Sequence, residues 1–503
     1  MRSNDRVRRQ PPTAAPRKPE LVIGLVGATG TDLGEAGKAV EASLVAYGYE
    51  TKFVRLSTLM QDIEGGAALA DAAEEDKRVW SHMDAGDEIR KQAGQDDAVA
   101  GLGVGYISSF RGDHHNGAPA TATAFVLNSL KHPAEVSTLR RIYRNRFILI
   151  SVHSPTEARL EALKRRIAES HGVPERAADF SNAAERLMER DEHDEEKEFG
   201  QHVRDAFTEG DVYVSMSPPS ELTDGISRYL RLFFGNPFMT PSRDEYAMFQ
   251  AHAAALRSAD LSRQVGAAVA TVDGDVIAVG CNEVPKAFGG QYWADNDFDR
   301  RDFELGYDSN AKSRDEAFGR AFERLREHLT ADMGVDEFIA SFQGTRLGNI
   351  TEFGRPVHAE MAALLDAARR GASVNRHRLF TTTFPCHNCA RHIVIAGLRE
   401  VVYREPYEKS LAVKLHPDSI AVDPSDEVDD RVVFRRFVGV GPPRYFDLFT
   451  KVKRKDNAGN RVTWSEGEAS PRLVTTETAY LTNEEDFLDE FREAIAKVKL
   501  ERE

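Results

Sequence analysis

The chain has 503 residues, 41% of them hydrophobic, and a formal net charge of −15. This length predicts two to three domains with substantial cores, and the negative charge argues against stable DNA binding. Three cysteines allow no more than one disulfide bridge. The low cysteine count predicts a reducing, cytoplasmic location. The sequence shows no signal peptide and no long apolar run, which predicts a protein without a membrane anchor.

The chain opens with a basic segment followed by an apolar strand. Residues 1–19 are rich in Arg, Pro and Ala and have little apolar surface to bury, which predicts a disordered tail. The apolar run Leu21–Val26 predicts a buried strand. A glycine-rich turn at residues 27–34 follows, then a helical pattern to about Tyr47 and a second strand from Thr51. Phosphate-binding α/β units begin in this order.

The glycine-rich turn does not satisfy the Walker A pattern. Counted from Gly27, the second required glycine falls on Asp32, and leucine and glycine replace the required lysine and hydroxyl residue. Without that lysine the β- and γ-phosphates lose their main charge partner, and Asp32 would repel them. We interpret the turn as a degenerate P-loop with four candidate residues: Gly27, Gly30, Thr31 and Asp32.

The remainder of this half predicts a P-loop kinase-like, three-layer α/β domain over residues 20–234. Buried strands are predicted at residues 124–127, 147–152 and 211–215, with helices at 154–169 and 221–234. The densely charged residues 185–198 predict a solvated helical lid or arm. Whether the domain binds a nucleotide or serves only as a scaffold or sensor is left open. Gly and Pro residues at 235–241 indicate a domain boundary.

The second half begins with a helix and a hairpin. The helix is predicted at residues 244–259, and two short strands follow, joined by a turn at Asp273 and Gly274. An insertion of about residues 289–348 then mixes aromatic and charged residues. Two interpretations fit it equally: an elaborated surface hairpin and helix pair, or a lid or oligomer contact.

Residues 358–389 carry the strongest chemical pattern. Residues 358–360 read His-Ala-Glu, and residues 385–389 read Pro-Cys-His-Asn-Cys, in a helix–strand–helix context. The imidazole of His358 and the thiolates of Cys386 and Cys389 make three ligands for Zn²⁺ and leave a fourth position for water. Glu360 is placed to take a proton from that water and deliver it to a departing amine. A CxxC pair alone also occurs in redox and structural zinc sites, but its combination with His-Ala-Glu favours a catalytic centre.

This pattern resembles the signature of the zinc nucleobase deaminases. The resemblance implies that a zinc-activated water attacks C4 of cytosine and that ammonia is lost. Cys281 is left over and is interpreted as a small buried residue at a strand end.

The last part of the chain is predicted as a C-terminal extension, residues 421–503. A strand at 400–404 precedes it. Residues 431–440 and 445–452 lean towards β structure. A closing helix from about Asn483 carries an apolar face for the core or for an oligomer contact.

Residues 243–420 resemble the deoxycytidylate deaminase family within the cytidine deaminase fold. The resemblance is carried by Ser-Arg-Gln-Val-Gly-Ala at 262–267, Gly-Cys-Asn-Glu-Val-Pro at 280–285 and the zinc motifs, in that order. It implies an α/β/α deaminase domain. Together with the degenerate P-loop domain and the runs at 289–293 and 403–410, nearly the whole chain looks like the bacterial anti-phage deoxycytidine nucleotide deaminases. Those enzymes convert dCTP or dCMP to the uracil form and deplete dCTP.

The resemblance also implies substrate contacts and partners. Asn282 is expected to hydrogen-bond the deoxyribose near its 3′-hydroxyl, and the Ala359 backbone to meet the base edge. Tyr407 and Lys409 are expected near the phosphates. Some family members are hexamers regulated by dCTP and dTTP, which implies a homo-oligomer, a hexamer among the options, with allosteric nucleotides. Because unrestrained deamination would be toxic, a regulator bound to the N-terminal domain is a further hypothesis.

Three other functions compete with this one. The same site would serve a housekeeping dCMP deaminase that supplies dUMP for thymidylate synthesis. A polynucleotide-editing deaminase would need a basic groove with stacking aromatics, which the net charge disfavours. A nucleotide-sensing regulatory protein would use the P-loop-like domain alone. The sequence does not rank dCTP over dCMP.

Overall fold

The computed structural model describes residues 18–60, 73–193, 200–329, 333–407, 410–424, 428, 430–475 and 478–500. The chain divides into two compact units, Met1–Thr240 with Val438–Glu503, and Pro241–Phe437. Most of the predicted tail, residues 1–17, lies outside the described residues, as does the end of the predicted charged arm. Within the described residues, no helix is both long enough and apolar enough to cross a membrane.

The strands are β1 (Leu21–Val26), β2 (Glu50–Arg55), β3 (Thr123–Asn128), β4 (Phe147–His153), β5 (Val212–Ser215), β6 (Gly266–Ala270), β7 (Val276–Cys281), β8 (Arg378–Thr383), β9 (Glu400–Glu405), β10 (Ile420–Val422), β11 (Val432–Arg436) and β12 (Gly439–Val440). The helices are α1 (Leu33–Val45), α2 (Leu56–Leu59), α3 (Glu75–Ala93), α4 (Ala98–His115), α5 (Pro133–Tyr143), α6 (Thr156–Ser170), α7 (Ser181–His193), α8 (Val203–Thr208), α9 (Pro219–Phe233), α10 (Arg243–Ala255), α11 (Asp302–Leu305), α12 (Ser309–Leu325), α13 (Val335–Ala340), α14 (Ala359–Arg369), α15 (His387–Ile395), α16 (Ala412–Leu415), α17 (Tyr445–Phe449) and α18 (Ala479–Leu500).

The first unit is built on a sheet of order β12–β5–β4–β1–β3–β2. Strands β2, β3, β1, β4 and β5 run parallel, and β12 pairs antiparallel with β5 at the edge. All six residues of β1 are buried, as expected for a parallel sheet covered on both faces. The predicted strands at 21–26, 124–127 and 147–152 and the α/β class are therefore confirmed. The resemblance of this unit to P-loop kinases stays a prediction.

The C-terminal residues do not form one separate extension, which corrects the domain predicted at 421–503. Strand β11 pairs with β9 and so belongs to the second unit. Val440, Leu448 and Ala469 are instead buried in the same core as Leu21 and Tyr229 of the first unit. Helix α18 likewise packs its Phe491 against Gly101 of α4, so its apolar face is a core contact within this unit. Chain order hides this arrangement because the packing partners lie at opposite ends of the sequence.

Two local predictions were also wrong. The charged stretch at 185–198 is helical as predicted up to His193, but it is not a solvated arm. It belongs to α7, which buries Leu187 and Met188 against Leu163 of α6. Residues 445–449, predicted to lean towards β structure, form α17 with Leu448 buried. A short apolar run does not by itself distinguish a helix from a strand. A charged helix can still bury one face when another helix packs against it.

The second unit contains a sheet of order β10–β11–β9–β8–β6–β7. Strand β6 is antiparallel to β7 and β8, whereas β8, β9, β11 and β10 are parallel. Helix α14 packs on β7 and β6, and α15 packs beside α14. The predicted helix, hairpin and helix–strand–helix order is confirmed, and Cys281 is the buried last residue of β7.

Candidate metal centre and its pocket

His358, Cys386 and Cys389 meet where two helices begin. His358 is the residue before α14, and Cys386 is the residue before α15, with Cys389 in the first turn of α15. Strand β8 lies between the two helices in sequence and ends at Thr383, three residues before Cys386. Each ligand therefore belongs to a helix start that local sequence defines, and the sheet brings the two starts together.

The three side chains have the separations that a zinc ion requires. The Nδ1 of His358 is 3.3 Å from the Sγ of both Cys386 and Cys389. All three ligand atoms lie within 4.8 Å of one another, and no other such group of His, Cys, Asp or Glu occurs in the described parts of the chain. Ordinary Zn–S and Zn–N bond lengths place tetrahedral nitrogen and sulfur ligands about 3.5 Å apart. The donor set and the spacing are consistent with Zn²⁺.

The electrostatics of the cluster favour a charged thiolate. Hydrogen bonds from Cys389 and from His358 lower the pKa of the Cys386 thiol to about 4. The hydrogen bond to Cys386 raises the pKa of His358 to about 9. A thiolate is the form of cysteine that ligates metals.

Glu360 lies in the first turn of α14 and is buried. Its Oε2 is 3.3 Å from the Sγ of Cys389, so the carboxylate lies beside the ligand cluster. Burial raises the pKa of Glu360, with the Cys386 charge adding to the effect. A raised carboxyl pKa is suited to taking and returning a proton near neutral pH.

The cluster opens into a cavity of about 380 Å³. Its lining includes the candidate zinc ligands His358 and Cys386 together with Glu360. Three of the predicted substrate contacts, Asn282, Ala359 and Tyr407, line it as well. Lys409, the other predicted phosphate contact, lies outside the described residues. Their substrate roles stay predictions, but the fold brings these described residues to one pocket.

The side chain of Asn282 holds a neighbouring loop in place. Its Oδ1 accepts the N–H of Val265 at 2.7 Å, and its Nδ2 donates to the carbonyl of Arg263 at 2.7 Å. Asn282 is 8% exposed, and Nδ2 keeps one further hydrogen for a ligand.

The insertion supplies one wall of the cavity. Asp302, Asp308, Asn310, Arg314 and Asn349 all line it. The wall is tied together by hydrogen bonds from Asn310 Nδ2 to Ile350 O at 2.7 Å and from Arg314 Nη1 to Gly348 O at 2.9 Å. Ser262 Oγ also donates to Asp308 at 3.1 Å, joining the wall to the loop before β6. The sequence offered a lid as one interpretation of the insertion but singled out none of these residues, because exposed polar side chains are common on any protein surface.

Three of the four residues predicted as a degenerate P-loop line a different cavity, of about 200 Å³, in the first unit. Gly27, Gly30 and Thr31 border it, and Asp32 caps α1 by accepting the N–H of Glu35 at 3.0 Å. Gly30 has φ +95°, and a Cβ there would stand 2.8 Å from the Arg159 carbonyl oxygen. Only glycine accommodates both the positive φ and the close approach of the Arg159 backbone.

A buried carboxylate from α7 reaches this loop. Asp191 accepts the backbone N–H of Thr29 at 2.6 Å and the Nζ of Lys131 at 2.9 Å. Sequence reasoning missed both residues. Lys131 lies between β3 and α5, and no local pattern links it or Asp191 to residues 27–34.

The similarities to known proteins reported below fall within the second unit or span part of this chain. The cytidine and deoxycytidylate deaminase zinc-binding region matches residues 241–405. The deoxycytidylate deaminase of Enterobacteria phage T2 is 41% identical over 54 residues, 11% of this chain and 29% of that protein. Mouse deoxycytidylate deaminase is 24% identical over 159 residues, 32% of this chain and 62% of that protein. The part of this chain that aligns thus spans less than a third of the length of the phage protein.

A solved structure, the dCMP deaminase of cyanophage S-TIM5 in complex with dCMP and dUMP, is 18% identical. Its alignment covers 39% of this chain and 98% of that one, with a TM-score of 0.23.

Proposed function

We propose that the chain catalyses zinc-dependent hydrolytic deamination of free deoxycytidine nucleotides, dCTP, dCMP or both, to dUTP and dUMP. One observation carries the proposal: the His358, Cys386 and Cys389 cluster lies beside a buried glutamate at a pocket. Its position inside the matched zinc-binding region supports it. The names of the phage and mouse relatives support deoxycytidylate as a substrate.

His358, Cys386 and Cys389 would hold Zn²⁺, which would supply a water activated for attack on C4 of the base. Glu360 accepts the proton of that water and delivers a proton to N3 of the ring. It then takes the proton of the new C4 hydroxyl and delivers it to the departing amine, so that water and cytosine become uracil and ammonia. The backbone of Ala359, buried at the start of α14, offers its polar groups to the base edge.

The test is a product assay on the purified full-length protein. The protein is incubated with dCMP, dCTP, CTP and single-stranded DNA, and products are identified by mass spectrometry. Glu360→Ala is expected to keep zinc and thermal stability but to reduce ammonia release at least about 100-fold, the usual contribution of a general acid–base group. Glu337→Ala, on the exposed face of the insertion, is the control. Activity retained in zinc-loaded Glu360→Ala protein would refute the mechanism.

The biological role that we propose is depletion of dCTP during phage infection, on the basis of the resemblance of nearly the whole chain to anti-phage deaminases. The alternative is a housekeeping supply of dUMP, which the names of the relatives favour. Nucleotide pools of infected cells expressing the wild type or Glu360→Ala protein distinguish them, because only the defence role requires dCTP to collapse on infection. An oligomer, allosteric dCTP or dTTP, and a regulator bound to the first unit belong to the same proposal.

A further inference from the structure

Arg263 presents a free guanidinium at the pocket. The residue is exposed and lines the same cavity as His358 and Glu360. In the part of the chain that the structure describes, no carboxylate pairs with its side chain, which lies 5.6 Å from the centre of the Tyr407 ring. An unpaired arginine beside an aromatic ring is available to an anionic ligand.

The backbone of Arg263 is fixed although its side chain is free. Asp260 Oδ1 accepts the N–H groups of Ser262 at 2.9 Å and Arg263 at 3.3 Å. The Nδ2 of Asn282 donates a hydrogen bond to the Arg263 carbonyl oxygen at 2.7 Å. The guanidinium therefore extends from a rigid turn, which reduces the entropy lost when it binds a ligand.

The other charged groups of the lining leave few places for a phosphate. Arg314 already donates to Gly348 O at 2.9 Å and to Asp315 at 2.9 Å. Three carboxylates of the same lining, those of Asp260, Asp302 and Asp308, would repel a phosphate brought near them. Among the described residues, the Arg263 side of the pocket is where an anion gains a charge partner without breaking an existing one.

We propose that Arg263 binds the 5′-phosphate of the substrate and so makes the site selective for nucleotides over the nucleoside. This rests on the proposed deamination. The substrate class that it defines is a cytosine base joined through a sugar to a phosphate, with the base at Glu360 and the phosphate at Arg263. Tyr407 supports the guanidinium through its ring.

The test compares wild type, Arg263→Gln and a control, Arg320→Gln, with deoxycytidine, dCMP and dCTP. Arg320 is an exposed arginine of α12 outside the pocket lining. Arg263→Gln is expected to lower kcat/KM for dCMP and dCTP about 10- to 100-fold, the usual effect of losing a charge-assisted contact, and to leave the deoxycytidine rate unchanged. Arg320→Gln is expected to behave as wild type. Arg263→Lys should restore part of the loss, because it keeps the charge but not the two-pronged geometry.

Equal losses for deoxycytidine and the nucleotides would overturn the proposal, since they indicate a structural role for Arg263. An unchanged preference for nucleotides would overturn it as well. Calorimetric binding of dCMP and deoxycytidine to Glu360→Gln protein, with and without Arg263→Gln, measures the same selectivity without turnover. If wild type deaminates none of the three compounds, the proposed function fails. The binding measurement then still decides whether Arg263 recognises phosphate.

Discussion

Gly280 lies so close to the start of α14 that a Cβ on it would stand 2.4 Å from the carbonyl oxygen of Ala359. The same Cβ would also stand 2.4 Å from the backbone nitrogen of Ala363. Strand β7 can therefore contact α14 only through a glycine, and this contact positions the residues on either side of Ala359, His358 and Glu360.

Gly280→Ala is expected to displace the first turn of α14. Overpacking of this kind costs about 1–3 kcal/mol, and here the neighbour is backbone, so the cost should lie at the upper end. Thermal unfolding and zinc content measure the two effects. Gly319→Ala is the control, because nothing lies within 4 Å of its Cβ position and alanine is favoured in helix α12. A Gly280→Ala protein with normal stability and zinc content would contradict the close contact.

Replacing a proposed zinc ligand should prevent the second unit from binding zinc. Cys386→Ser and Cys389→Ser are each expected to lower zinc content from one ion per chain to near zero and to abolish activity, because each removes one of only three proposed protein ligands. Cys281→Ala is the control, since Cys281 is buried at the end of β7 outside the ligand group. Zinc is measured by mass spectrometry of the metal. Full zinc occupancy in Cys389→Ser protein would contradict the proposed ligand set.

Lys131→Met should destabilise the first unit. The side chain of Asp191 is 1% exposed and that of Lys131 is 18% exposed, so the substitution leaves a buried carboxylate without its cation. Breaking a buried pair costs about 3–5 kcal/mol, and the partial exposure of Lys131 places the expected loss near 3 kcal/mol. Denaturant unfolding measures it.

Lys38→Met is the matched control, because its pair with Glu35 is exposed and should contribute less than about 1 kcal/mol. Adding Asp191→Asn to Lys131→Met should recover part of the loss. A Lys131→Met protein as stable as the control would show that Thr29 alone satisfies the carboxylate.

The second unit should lose stability on mild acidification because of His252. Burial, followed by the nearby Arg404, lowers the pKa of His252 to about 4. The unfolded side chain has a pKa of about 6.5, so below that pH the unfolded state binds the extra proton and is stabilised. The free energy of unfolding should therefore fall from about pH 6.5 to about pH 4. Urea midpoints at pH 7.5 and pH 5 measure the slope, and His252→Gln should reduce it. Equal slopes in both proteins would contradict the assignment.

A chain that lacks residues 1–234 should be insoluble. Val440, Leu448 and Ala469 pack in a core whose strands and helices lie in the deleted part, so the truncation exposes them. The soluble fraction after expression measures the effect. A fragment of residues 241–437 omits the orphaned segment and should be more soluble. A soluble, monodisperse truncated chain would contradict the shared core.

Much of the fold follows from short-range patterns. The continuous apolar run of β1 indicates a strand buried on both faces, and the alternation of strands and helices indicates an α/β chain. The hairpin after α10 follows from Asp273 and Gly274. The Tyr445–Phe449 segment was misassigned because a short apolar run carries no period that separates strand from helix.

The sequence by itself determined the candidate metal ligands, because His358 and the Cys386–Cys389 pair each lie at a helix start defined by a few adjacent residues. Only the tertiary structure decided which residues that are distant in sequence come into contact. In the first unit the contact of Asp191 with Thr29 spans 162 positions. In the second unit the Arg263 guanidinium lies over the ring of Tyr407, although four strands and the insertion separate the two residues in sequence. Such contacts depend on how sheets bring remote segments together, and no local periodicity records them. The candidate metal ligands are therefore encoded by local sequence. The charged side chains around the cavity, and the insertion residues that line it, are brought there by non-local packing.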